Sequence, residues 1–226
     1  MQSISSLSLL IAIFISYATM SAANQVSRAV GKLQSAHTAL LLCDVQERFR
    51  PLIYRMETVV HTCRYMTSVA TALDIPIVGT QQYTKVFGET VPDTFADPAA
   101  LAATPIFDKK KFSMLTDDVK NKLDELNKNT YLIMGIEAHV CVQQTCLDLI
   151  ESGADVHVIV DAVSSQQPYD RAIALDRLQH AGAFLTTAQS AAFMLMQSAD
   201  HANFKIVSKL TVEHMKLPNE FNADFK

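Results

Sequence analysis

The stretch Thr38-Ala-Leu-Leu-Leu-Cys43, closed by Asp44, decides the fold. It is an unbroken apolar run of strand length, not the apolar/polar alternation of a half-exposed strand. A strand of this kind is covered on both faces, as in parallel sheets flanked by helices. Similar runs recur outward from it, at Ile75-Pro-Ile-Val-Gly79, at Thr130-Tyr-Leu-Ile-Met134 before Gly135, at Val156-His-Val-Ile-Val160 before Asp161, and at Ala183-Phe-Leu-Thr-Thr187. Ile106 and Phe107 read as a brief strand. Between the runs lie helical periods: Met56 to Leu73 places Val59, Val60, Cys63, Met66, Val69 and Ala70 on one face. Further helices are predicted over 117–126, 140–151, 169–180 and 188–196, two of them stopped by Gly153 and Gly182. Residues 81–105 read as an irregular excursion with a short helix. Strands alternating with helices predict right-handed βαβ units, an α/β fold with a parallel sheet.

The chain has 226 residues and a formal charge of −4. One large domain is the simplest organisation, expected over residues 35–210 with a more polar tail at 211–226. No basic field is available for a nucleic-acid partner. Four cysteines without a C-x-x-C spacing make neither a disulfide framework nor a zinc motif. No G-x-G-x-x-G or P-loop motif occurs, so no nucleotide cofactor is expected. The first charged residue is Arg28, and Leu9 to Ile15 is an apolar run. It is well short of the roughly 20 residues a membrane-spanning helix needs. Residues 1–25 are therefore set aside, with two main readings beside a retained helix or weak anchor. Translation from Met20 gives a cytoplasmic chain; a cleaved signal, with small residues at Ser21, Ala22 and Ala23, gives a secretory one.

Ligands of a parallel α/β sheet bind beyond the carboxyl ends of its strands. Asp44, then Gln81, Gln82 and Tyr83, then Lys109, Cys141 and Asp161 all fall at or just past such ends. A cysteine opening a helix has its thiolate favoured by the helix dipole, and a nearby ammonium favours it further. A carboxylate beside both can take and return a proton. Each residue also has a plainer role: Asp44 as a cap, Lys109 within a solvated Lys-Lys-Lys run, Cys141 as a core thiol, His139 as a neighbour pointing elsewhere.

Three segments carry a resemblance. Leu40-Leu-Leu-Cys-Asp44-Val-Gln46, Phe107-Asp-Lys109-Lys-Lys-Phe112 and Gly135-Ile-Glu-Ala-His-Val-Cys141-Val-Gln-Gln-Thr145 resemble the signatures of isochorismatase-like cysteine hydrolases, above all the eukaryotic isochorismatase-domain proteins. The resemblance implies a three-layer α/β/α sandwich around a mainly parallel six-stranded sheet. It implies an Asp44–Lys109–Cys141 triad, a cis bond between Ile136 and Glu137, and an oxyanion hole from the Glu137 and Cys141 N–H groups. Gln81, Tyr83, Phe87, Phe112 and His139 are candidate pocket residues. The implied reaction is hydrolysis of a small amide, carbamoyl or ester substrate through a thioacyl intermediate. No metal is expected, because Thr80-Gln81-Gln82-Tyr83 stands where metal-dependent relatives carry a D-x-H segment. The alternative is a protein that keeps the fold and acts mainly by binding partners. A homo-oligomer, dimer or tetramer, is expected.

Overall fold

Pleating sends alternate residues of β1 (Thr38–Cys43) to opposite faces, and both faces meet apolar layers. Leu40 and Leu42 enter one core; Ala39, Leu41 and Cys43 enter the other. All six residues are buried, which is why the run does not alternate. The computed structural model describes residues 30–225. The expected signal or alternative-start segment at 1–25 lies outside the described residues. From Leu33 onward the chain clusters as one unit.

The other strands are β2 (Ile77–Gln82), β3 (Ile106–Lys109), β4 (Thr130–Ile136), β5 (Asp155–Ser164) and β6 (Phe184–Thr186). They form one sheet in the order β3-β2-β1-β4-β5-β6, with every neighbouring pair parallel. Helices α1 (Met56–Ala72), α2 (Thr84–Phe87), α3 (Pro98–Ala103), α4 (Asp117–Leu126), α5 (Gln143–Glu151), α6 (Pro168–His180), α7 (Ala188–Met196) and α8 (Phe204–Met215) follow in chain order. Residues of α1, α7 and α8 pack on one face of the sheet, and residues of α4, α5 and α6 on the other. This is the three-layer sandwich.

Three of the boundaries that differ from expectation do so for a tertiary reason. β2 starts two residues later than expected and runs on to Gln82, because Gln81 and Gln82 pair with Asp108 and Lys109 of β3. β4 does not stop at Gly135. That residue sits inside the strand at φ +119°, where a Cβ would lie 2.1 Å from the Cys43 carbonyl oxygen. Glycine is what allows β4 to press against β1 there. β5 does not end at Asp161 but continues to Ser164, across a register shift opposite Gly135.

The strand order reverses between β1 and β4, which opens a crevice beyond their carboxyl ends.

Candidate active site

β1 delivers Asp44 immediately past its last residue, with a left-handed backbone (φ 50°) that turns the chain away from the sheet. Aspartate tolerates this conformation better than most residues, but holding it there has a cost that the surroundings must offset. The offset is a buried network. Thr80 Oγ1 donates to Asp44 Oδ1 at 2.8 Å, and Lys109 Nζ donates to Oδ2 at 2.6 Å. Lys109 ends β3, opposite Gln82 in the parallel register. Its ammonium also donates to Gln82 Oε1 (2.7 Å), the Phe112 carbonyl (2.9 Å) and the Lys111 carbonyl (3.1 Å). Burial pulls the Lys109 pKa down. The neighbouring Cys43, Asp44 and Cys141 outweigh it and hold the ammonium above its ordinary value.

The other two lysines of the run face outward. Lys110 lies over the Tyr83 ring at 5.1 Å, and Lys111 reaches the Leu115 carbonyl and Asp148. Lys109 is therefore the lysine that meets Asp44.

Cys141 arrives from the other side of the switch point. The Ile136–Glu137 peptide is cis, and a π turn over Ala138–Val142 follows, its i+5 bond running from the Val142 N–H to the Glu137 carbonyl at 3.1 Å. Such turns carry an extra residue inside a helix and recur at functional sites. Thr145 secures the turn. Its hydroxyl donates to the Cys141 carbonyl at 2.6 Å and accepts from the Met114 N–H at 2.8 Å, tying the cysteine segment to the loop after Lys109. Beneath Cys141 lies the Cys43 thiol, hydrogen-bonded to it. Burial, that bond and the nearby Asp44 push the Cys43 pKa well above the ordinary thiol range. Burial likewise raises Cys63 and Cys146. Cys141 lines a cavity, whereas Cys43, Cys63 and Cys146 have no exposed surface.

That cavity holds about 370 Å³ and opens over Asp44, Gln82, Glu137 and Cys141. Its walls are Phe49, Leu52, Phe87, Phe112, Ile136 and Val140, with Gln166 at one side. Phe49 and Phe87 stack with centroids 4.7 Å apart. Arg50 braces the wall they form by pairing with Glu47, Glu57 and Asp93. Of the pocket residues expected from sequence, Phe87 and Phe112 line the cavity and Gln81, Tyr83 and His139 are not among its lining residues. The strand pleat turns Gln81 away from Gln82, toward Thr90 and Thr84. Tyr83 is partly exposed beneath Lys110. His139 Nδ1 bonds Ser165 Oγ at 2.9 Å, while the Gln166 backbone and side-chain N–H groups donate to Glu137 at 2.9 and 3.2 Å. His139 thus fastens the loop after β5, and that loop in turn fastens Glu137.

Asp161 does not join the site. It faces α1, where its carboxylate accepts the Ala188 N–H at 2.9 Å and serves the start of α7. Burial raises its pKa against the pull of that bond and of Arg171.

Sequence reasoning missed Thr80, Gln82 as a ligand of Lys109, Gln166, Phe49 and Leu52. The signal was present for Gln82, since a strand prolonged by three residues puts it, not Gln81, on the face of Asp44. Gln46 in the first signature also has a structural office: it is buried and brackets Gln82 by accepting from its N–H at 2.7 Å and donating to its carbonyl at 3.1 Å.

The isochorismatase domain matches residues 38–190. The secreted isochorismatase effector Isc1 of Phytophthora sojae is 42% identical over 90% of this chain and 98% of its own length. The structure titled MAR1 ribonuclease from Caenorhabditis elegans is 40% identical, covers 80% of this chain and 92% of its own, and superposes with a TM-score of 0.75. The YcaC gene product of Escherichia coli, described as an octameric hydrolase of unknown specificity, shares the fold at TM-score 0.73 and 23% identity, covering 85% of this chain and 97% of its own.

Proposed function

The chain belongs to the isochorismatase-domain family and is a hydrolase, and from that premise we propose that it is a metal-independent cysteine hydrolase of small amide, carbamoyl or ester substrates. The observation that carries the reading is the meeting of one cavity-lining thiol with a buried carboxylate–ammonium pair. In this reading Asp44 takes the Cys141 proton and the sulfur attacks the substrate carbonyl carbon. The N–H groups of Glu137 and Cys141 hold the oxyanion. The bond to the leaving group breaks as that group receives the proton from Asp44. Water, deprotonated by Asp44, then attacks the thioacyl carbon; the C–S bond breaks and the sulfur recovers the proton. Lys109 fixes Asp44 and supplies positive charge beside the thiol.

The test is intact-mass analysis of the protein and of Cys141→Ala during incubation with primary amides, carbamoyl compounds and esters. An RNA oligonucleotide joins the set because of the C. elegans relative's title. The expected result is an acyl adduct on Cys141 with release of acid product, and neither in Cys141→Ala. No adduct and no product across the set would hand the protein to the partner-binding alternative. Brief substoichiometric iodoacetamide should label Cys141 first, since the other three thiols are buried and raised.

The octameric E. coli neighbour supports a homo-oligomeric assembly, which sedimentation measures. The secreted Phytophthora relative supports the secretory reading of the apolar run at Leu9–Ile15, which sequencing of the mature N-terminus decides.

A further inference from the structure

The chemistry of the cavity wall specifies more than the reaction. We propose that the site accepts substrates whose acyl side is small, apolar and uncharged, and turns away those carrying a second carboxylate; the inference rests on the cysteine-hydrolase reading above.

Size comes first. A cavity of about 370 Å³ has room for on the order of ten non-hydrogen atoms, taking about 30 Å³ apiece as in liquid water. Lining chemistry comes second. Phe49, Leu52, Phe87, Phe112, Ile136 and Val140 present carbon to whatever lies beyond the reacting carbonyl. Charge decides the rest. Among the described residues, none that lines the cavity is a lysine or arginine. The ammonium beneath it is spent: the Lys109 side chain has no exposure, and its three N–H groups are shared among four protein oxygens. A substrate carboxylate could reach that charge only by displacing Asp44, Gln82 or a backbone carbonyl. Meanwhile two acidic residues, Asp44 and Glu137, are among those that line the cavity. The Glu137 carboxylate accepts from the Gln166 backbone and side-chain N–H groups, which favours its staying at the rim. An acidic acyl group would lose its hydration to carbon and face like charge, a built-in element against anions.

A matched pair of ligands tests this: hexanamide, and adipamate, the six-carbon amide that ends in a carboxylate. Each is titrated into Cys141→Ala, which holds but cannot turn over a substrate, with binding read by calorimetry or ligand-observed NMR. Hexanamide is expected to bind at least tenfold more tightly. Placing a cation at the rim with Leu52→Arg, at a side chain already 52% exposed, is expected to raise adipamate affinity at least fivefold while hexanamide weakens no more than a few-fold. Equal or tighter binding of adipamate overturns the inference. So does no detectable binding of either ligand, since the apolar cavity is then not an acyl site. Ammonia release from hexanamide by the unmodified protein reports separately on the parent reading. Selective binding without ammonia or adduct sinks the hydrolase assignment for this amide and leaves the selectivity standing.

Discussion

At the carboxyl ends of β1 and β3, Asp44 and Lys109 are buried with both carboxylate oxygens and the ammonium hydrogen-bonded. Where α8 crosses α1, His61 and His214 stand 5.4 Å apart, and the Nδ1 atom of each is buried without a partner. His214 stacks flat on Tyr65 at 4.5 Å, an apolar use of a polar ring. The two regions bury titratable groups in opposite ways. The first stabilises charge with partners drawn from two strands and two loops. The second sets polar rings against apolar neighbours, and burial pulls the His214 pKa down to about 4. The contrast separates a region organised around charge from one organised around packing.

The largest effect should come from closing the gap between the strands that carry the site. Gly135→Ala puts a Cβ against the Cys43 carbonyl at a φ of +119°. The expected loss is about 4 kcal/mol or more, at the upper end for a single substitution. Urea unfolding measures it, and a loss below about 1 kcal/mol would show that β4 can retreat from β1. Next is Lys109→Met, which leaves Asp44 buried without its counter-ion. Breaking such a pair costs about 3–5 kcal/mol, and loss of a close positive neighbour should slow alkylation of Cys141 roughly tenfold or more. If the folded variant is alkylated at the original rate, Lys109 does not act on the thiol.

Acid should then expose the packing-organised interior. His157 is 2% exposed, its Nε2 has no partner, and burial lowers its pKa to about 4. The ordinary value is 6.5, so between pH 6.5 and about 4 the unfolded chain binds a proton that the folded chain refuses. Stability is full above that window and falls as pH drops through it, by up to about 3 kcal/mol for His157. His214, reached by solvent, adds a smaller share in the same direction. His157→Leu should lose less stability than the unmodified protein between pH 7 and 4.5; parallel losses would place the acid sensitivity elsewhere. The smallest effect belongs to Tyr65→Phe, which removes the 2.8 Å bond to Thr211 between α1 and α8. About 1 kcal/mol is expected, read as a shift in the denaturation midpoint without a change of slope.

Legibility in the sequence followed how local each determinant is. β1 and helices α4 and α7 appear with the expected bounds, because an unbroken apolar run, or an apolar face between a Thr cap and a stop, is visible within a dozen residues. Asp161 misled because a carboxylate inside an apolar strand ordinarily ends it. Here the Ala188 N–H, far along the chain, accepts that duty and lets β5 continue. His139 looked like a pocket residue because it neighbours Cys141. The π turn sends it instead to Ser165.

The sequence by itself determined the class of sheet and the set of chemically capable residues, since continuous apolar runs have no stable home except between two helical layers. It also put Asp44 and Lys109 at strand ends and Cys141 at the start of the helix that follows one, because polar residues following such runs have nowhere else to go. Only the tertiary structure decided which of three lysines turns inward, which of two glutamines faces it, and which side chains wall the cavity. Those choices depend on strand register and on a backbone turn closed by groups distant in the chain. One residue of slip in β3 would send Lys109 to the opposite face, and a register is set by partners that no local pattern contains.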